Sequence, residues 1–237
     1  MITDPKVEQY MHSLLPAADA VQAEMERIGA ERHFPIVGPL VGRLLLQVAR
    51  AIGARDIFEM GSGFGYSTLW FARALDESGR VVHTEMSDDL SEEARRHLTR
   101  AGVAARVTFE VGNALDTITR YPGPFDVIFI DVEKEDYPAA LDLARVRVRP
   151  GGFIITDNVL WSGKVAQDPS TFDAATRAID TYNRVTAAAP DFLTTILPLR
   201  DGVALHYKIA ETPRRTRPSS PRIGQLTPLG RKTPLPR

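Results

Sequence analysis

Phe125-Asp126-Val127-Ile128-Phe129-Ile130-Asp131, with Lys134 three residues on, is followed after a helix-length segment by Gly151-Gly152-Phe153-Ile154-Ile155-Thr156-Asp157-Asn158. Two apolar runs rich in Ile, Val and Phe, spaced in this way, are the pattern of neighbouring parallel strands buried on both faces. Parallel neighbours lie about 4.8 Å apart. The oxygens of Asp131, Asp157 and Asn158 are therefore expected to converge at the carboxyl edge of the sheet, where open α/β folds bind ligands. Three hard oxygen donors suit an octahedral, water-retaining Mg²⁺ site, with Lys134 beside it. Either aspartate alone also reads as a helix-capping acid at a βα turn; the pair together with Asn158 reads as a site.

Strands and helices alternate outward from these two runs. Asp56–Met60 reads as a strand, Ser67–Leu75 as a helix and Arg80–Glu85 as a strand. The next helix is expected to open at Asp89, with Glu92 three residues on in a capping-box pattern. Val107, Phe109 and Val111 alternate as a half-buried strand, and Pro138–Val148 reads as the helix between the two opening runs. Residues 171–189 read as a long helix with Phe172, Ala175, Ile179 and Tyr182 on its apolar face. Phe192–Leu199 and Val203–Ile209 then flank Asp201-Gly202, a hairpin signal. Upstream, residues 6–31 read as an amphipathic helix interrupted at Pro16, with Val21, Met25 and Ile28 on one side. A further helix follows Pro39, a residue suited to a first helical position.

The turn after the first strand is Glu59-Met60-Gly61-Ser62-Gly63-Phe64-Gly65-Tyr66-Ser67. Glycines there admit positive φ and a close approach by a ligand. Dinucleotide binders share such a run, but here the third glycine comes one residue too early for their fingerprint. Glu85 closes the next strand, where a carboxylate suits ribose hydroxyls. Glu59 sits just before the turn, where its negative charge repels a pyrophosphate and suits a cation such as a sulfonium.

These motifs, in this order, resemble the cation-dependent O-methyltransferases of the catechol and caffeoyl-CoA type, a family of class I S-adenosylmethionine-dependent enzymes. The run from Glu59 to Ser67 is similar to the family's E-φ-G-x-x-x-G-Y-S signature, and Glu85 to its ribose-binding acid. Gly112-Asn113-Ala114 resembles the segment along the adenine. Asp131 to Tyr137 resembles D-x-x-K-x-x-Y, and Asp157-Asn158-Val159-Leu160-Trp161 resembles D-N-V-L-W. Phe34-Pro35-Ile36-Val37-Gly38-Pro39…Gly42 resembles the segment that covers the cofactor. Many members carry Ala-Asp where this chain has Val132-Glu133, with the donor spacing kept.

The resemblance runs from about residue 5 to residue 209. It implies an α/β fold, a Rossmann-like class I methyltransferase sandwich with a seven-stranded, mostly parallel sheet ending in an antiparallel hairpin and extra N-terminal helices. It implies S-adenosylmethionine held by Val37, Glu59, Gly61, Ser62, Gly65, Ser67, Glu85, Ala114 and Asp131. It further implies Mg²⁺, or another divalent cation such as Mn²⁺ or Ca²⁺, on Asp131, Asp157 and Asn158, with Lys134 and Asp131 at the chemistry. Trp161 reads either as a wall of the acceptor pocket or as core.

The chemistry these groups would support is methyl transfer to a phenol, whose pKa of about 10 leaves little phenolate at neutral pH. A coordinated cation lowers that pKa, and a catechol chelates through both oxygens. Lys134 is then the general base, or a cation that stabilises the phenolate.

Bulk properties fit this reading. The chain has 237 residues, 43% hydrophobic and 25% charged, which suits one α/β domain with a substantial core. It has no cysteine, which excludes disulfides, thiol catalysis and Cys-based zinc sites. His12, His33, His83, His97 and His206 are scattered, as surface or packing residues. Met1 to Glu8 does not fit a secretory signal, and no stretch approaches about 18 apolar residues, so a cytoplasmic protein with no membrane partner is expected.

Residues 211–237 hold seven basic residues, one acid and six prolines; setting these apart from the totals of 29 and 30 leaves residues 1–210 with 22 basic and 29 acidic residues, a net of −7. Residues 1–210 are accordingly expected to form the methyltransferase domain and 211–237 a disordered basic tail, either a solvated extension or a tether to an anion. The leading acceptor is a small phenolic molecule. A hydroxyuridine in tRNA is the alternative that the tail favours and the acidic body opposes. A non-catalytic scaffold is disfavoured by the four residues of the cation site, and a nicotinamide oxidoreductase by the glycine spacing. Family likeness implies a homodimer.

Overall fold

The computed structural model describes residues 2–209; the tail from 211 onward lies outside the described residues. The chain order is α1 (Pro5–Ser13), α2 (Ala20–Arg32), α3 (Gly38–Ala51), β1 (Asp56–Met60), α4 (Tyr66–Ala74), β2 (Arg80–Glu85), α5 (Asp88–Arg100) and β3 (Val107–Val111). It continues through α6 (Ala114–Thr119), β4 (Phe125–Ile130), α7 (Tyr137–Arg145), β5 (Val148–Thr156), α8 (Ala174–Ala188), β6 (Phe192–Leu197) and β7 (Val203–Lys208). The seven strands form one sheet in the order β3-β2-β1-β4-β5-β7-β6. The first five are parallel, while β7 runs antiparallel to both β5 and β6.

The two-residue period of the strands divides the core into two layers. Ile57, Val127, Phe129 and Ile155 pack with Met25, Val41, Leu45, Leu69 and Phe71 from α2, α3 and α4. Phe58, Met60, Ile128, Ile130 and Ile154 pack on the opposite face with Tyr137, Leu141, Ile179 and Tyr182 from α7 and α8. Central strands covered on both sides bury every second residue either way, which is why β1 and β4 read as unbroken apolar runs.

Register then places the site. Met60 stands opposite Thr84 on one side and Ile130 on the other, and Ile130 stands opposite Thr156. The residues that follow, Gly61, Glu85, Asp131 and Asp157, therefore leave the sheet along one edge.

Several boundaries differ from the sequence reading. The interrupted first helix is two helices, and α1 ends well before Asp19 caps α2 through the Val21 and Gln22 N–H groups. Ser87, not Asp89, caps α5: its hydroxyl accepts from Leu90 N at 3.3 Å, leaving Asp88 and Asp89 in the first turn against the positive end of the helix. Val148 belongs to β5, because the step from Phe125 to Val127 on β4 is matched by Val148 to Phe153, a bulge carrying Gly151 at φ +77°. The long helix begins at Ala174 with Asp173 as its cap, so Phe172 is buried from an extended residue outside it. The hairpin closes through Pro198–Gly202, with Leu197 paired to Val203, a longer loop than Asp201-Gly202 alone suggests. Among the described residues, no helix is long and apolar enough to cross a membrane.

Helix α3 lies directly on α4. A Cβ at Gly42 would fall 2.1 Å from Trp70 Nε1, so Gly42→Ala must displace the buried indole or push the two helices apart. Thermal unfolding is expected to show a loss of about 2 kcal/mol or more, roughly 5 °C in Tm for a domain of this size. An unchanged Tm would contradict this packing.

Candidate active site

One cleft of about 720 Å³ runs along the carboxyl edge of the sheet. Val37, Gly61, Ser62, Ser67, Glu85, Ala114, Asp131, Lys134, Asp157, Asn158 and Trp161 all line it. Glu59 and Gly65 do not. Gly65, at φ +88°, precedes α4, and a Cβ there would lie 2.8 Å from Ala94 Cβ on α5. Its role is helix packing behind the turn.

The turn end of the cleft is built from backbone. Gly61 takes φ +83°, and a Cβ on it would sit 2.2 Å from the Asp131 carbonyl, so only glycine passes there. Ser62 N donates to Thr84 O at 3.0 Å, and Thr84 N donates back to Ser62 Oγ at 3.1 Å. Glu85 accepts from Gly63 N on one oxygen and from Ser87 N on the other, each at 2.9 Å. A carboxylate has about four acceptor positions, so Glu85 is oriented by the main chain and still able to receive hydroxyls. Asn113 caps α6 through Leu115 N at 2.8 Å, bringing Ala114 to the wall. Phe34 closes over the turn, with its ring 5.1 Å from that of Phe64.

Glu59 is fully buried beneath this turn. Thr68 Oγ1 donates to its carboxylate and also meets His83 Nδ1 at 3.0 Å. Burial pushes the Glu59 carboxyl up to about 7 against the hydroxyls of Ser67, Thr68 and Ser62, with the charge of Asp131 adding to the rise. Burial also holds His83 neutral, down at about 3. The acid therefore acts from behind, by holding the Thr68 hydroxyl in the first turn of α4.

At the other end, Lys134 Nζ donates to Asp131 Oδ1 at 3.0 Å and to Asn158 Oδ1 at 2.9 Å. It also reaches the Val132 carbonyl at 3.2 Å and Tyr137 Oη at 2.7 Å, and Tyr137 donates on to the Asp157 carbonyl at 2.8 Å. Asp157 is buried, and one of its oxygens accepts from Asn158 N at 2.9 Å. Burial, then the neighbouring charge of Asp131, raises the Asp157 carboxyl well above the usual carboxylate range. The Asp131 and Asn158 oxygens thus converge on a single cationic point, beside a second acid whose charge wants a cation. That donor set fits a hard divalent ion.

Comparison with known proteins agrees with this geometry. The model of the O-methyltransferase family matches residues 20–209. This chain belongs to the O-methyltransferase family. The catechol O-methyltransferase of Niastella koreensis is 33% identical over 84% of this chain and 95% of its own length. That of Mycobacterium tuberculosis is 38% identical over 72% and 79%. The crystal structure of the Bacillus cereus O-methyltransferase in complex with S-adenosylhomocysteine superposes with a TM-score of 0.79 at 34% identity, covering 88% of this chain and all of that one.

The O-methyltransferase lines its cleft with Phe34 from the segment expected to cover the cofactor, and also with residues that sequence reasoning gave no place in the site: Met86, Arg200 and Asp201. Arg200 and Asp201 lay inside a stretch read as a hairpin turn. Their one signal was two charged side chains next to a glycine at the edge that bears the acids.

The buried Glu59 has a measurable consequence. Its folded value lies above the ordinary 4.5, so the native state keeps a proton that the unfolded chain releases. Its stabilising contribution is complete below the ordinary value and is lost as pH rises toward 7. The stability of wild type relative to Glu59→Gln should fall by roughly 2–3 kcal/mol between about pH 5 and pH 8, measured by denaturant unfolding. His83 is present in both proteins and cancels. Parallel pH curves would refute the burial argument.

Proposed function

We propose that this O-methyltransferase of the catechol and caffeoyl-CoA type uses S-adenosylmethionine to methylate a hydroxyl of a small catechol-type aromatic. We further propose that it does so with Mg²⁺, or a similar divalent cation, on Asp131, Asp157 and Asn158. The observation that carries this is the cation point between Asp131 Oδ1 and Asn158 Oδ1, in the same cleft as the Gly61–Ser67 turn and Glu85. When bound, the sulfonium supplies an electrophilic methyl group and the cation supplies the Lewis acidity that makes a phenolate available near neutral pH.

The chain's own groups do the rest. Glu85 receives the ribose hydroxyls, and the positive-φ glycines give the cofactor room against the main chain. Were Asp131 and Asn158 to hold the divalent cation, Lys134 would keep Tyr137 Oη and the Val132 carbonyl as partners. Its Nζ is then the group placed to receive or neutralise the acceptor's hydroxyl proton while the C–S bond breaks and the C–O bond forms. Trp161 is half-buried at the wall, and its Nε1 has no hydrogen-bond partner among the described residues. Its ring offers a face to a planar acceptor.

A radiolabelled transfer assay over neutral catechols tests the reading. Excess EDTA and Asp157→Asn should each lower transfer about 100-fold or more, with the affinity for S-adenosylhomocysteine held within about threefold. Lys134→Ala should lower kcat by about 100-fold or more at unchanged cofactor affinity. Full turnover in EDTA would remove the metal from the account, and wild-type turnover in Lys134→Ala would remove its proton role.

A further inference from the structure

Arg200 is a cation in this cleft with no acid assigned to it. It sits in the loop between β6 and β7 at φ +50°, a left-handed conformation that costs a side-chain-bearing residue about 1–2 kcal/mol. Its Nη1 donates to the Ile36 carbonyl. Of its five N–H donors, this is the one used among the described residues. A Cβ on Gly38 would come within 3.1 Å of Nη1, so the guanidinium packs against the start of α3. Its charge is also felt by Asp157, whose carboxyl it pulls downward against burial.

The acids nearby are already committed. Asp201 accepts from Ser162 N, Asp131 pairs with Lys134, and Asp157 belongs to the proposed cation set. No ion pair of Arg200 within 4.0 Å is present among the described residues. Glu133 and Asp136 line the same cleft, and neither contacts the guanidinium. A half-buried arginine held in a left-handed conformation, with the rest of its N–H fork unpaired among the described residues, offers an anion a ready set of donors.

We propose that Arg200 determines acceptor specificity, and that the acceptor is a catechol bearing a carboxylate, of the dihydroxybenzoate or dihydroxycinnamate class. The two hydroxyls would face the acidic trio while the carboxylate takes the free N–H fork of Arg200, a planar bidentate match that lysine does not reproduce. A catechol bearing an ammonium group would meet like charge there. The proposal rests on the catechol reading above.

The test compares kcat/KM and equilibrium binding for 3,4-dihydroxybenzoate, 3,4-dihydroxycinnamate, the neutral 3,4-dihydroxybenzamide and the cationic 3,4-dihydroxybenzylamine. Wild type, Arg200→Gln and Arg200→Lys are measured with Mg²⁺ and S-adenosylmethionine for transfer, and with S-adenosylhomocysteine for binding. Wild type should favour a carboxylate over the amide by about 10- to 100-fold, the range of one charged hydrogen-bonded contact. Arg200→Gln should bring that ratio near one, Arg200→Lys should retain part of it, and added salt should reduce it in wild type. Equal carboxylate-to-amide ratios in wild type and Arg200→Gln would overturn the inference while leaving the catechol reading standing. So would a uniform loss on all acceptors, which would make Arg200 a clasp on Ile36 alone. No transfer by wild type to any of the four would overturn both.

Discussion

The site depends on parallel-sheet hydrogen bonds that continue one or two residues past the strands. Asp131 N donates to Met60 O at 2.9 Å, and Asp157 N donates to Ile130 O at 3.1 Å. Ser62 N to Thr84 O and Gly112 N to Glu85 O, at 3.0 and 2.9 Å, do the same on the other side of β1. Side chains set on such a ladder have almost no backbone freedom. The carboxylates, the Asn158 carbonyl and the glycine turn are therefore held in place by β1, β4 and β5, whose own positions come from cores on both faces.

That placement has an electrostatic cost which the site answers locally. Two aspartates at one edge, one of them buried, oppose each other's ionisation. Lys134 answers with an ammonium that meets Asp131 and Asn158 and is steadied by Tyr137. The oxygens that bind the amine are the oxygens a divalent ion requires. On the proposed reading, the ammonium and a divalent ion would share a position, so that metal loading would free the lysine from those two oxygens. Glu59, Thr68 and His83 form a separate buried polar group behind the glycine turn.

The central fold was legible because burial on both faces makes strand runs conspicuous, and because positive-φ glycines such as Gly61 leave a spacing that few turns share. The placing of Asp131, Asp157 and Asn158 at one edge was legible for the same reason, since strand order and register follow from those runs. Glu59 was not. Its place before the turn suggested a charge facing the cofactor, whereas β1 side chains alternate and this one points into packed hydroxyls. Arg200 was hidden by a loop whose length depends on where β6 ends, which Pro198 decides. The shift of the α5 cap from Asp89 to Ser87 and the transfer of Val148 to β5 are errors of one turn or one bulge, where several polar residues compete for the same role.

The central claim is that Asp131, Asp157 and Asn158 form one cation site whose occupant competes with Lys134. A crystal of the full chain with S-adenosylhomocysteine and Mn²⁺, phased at the manganese edge, tests it most directly. One anomalous peak between the three side chains, with Lys134 Nζ withdrawn from Asp131 and Asn158, is the predicted result. An empty position with Lys134 still bridging those two oxygens, under Mn²⁺ well above millimolar concentration, would contradict it.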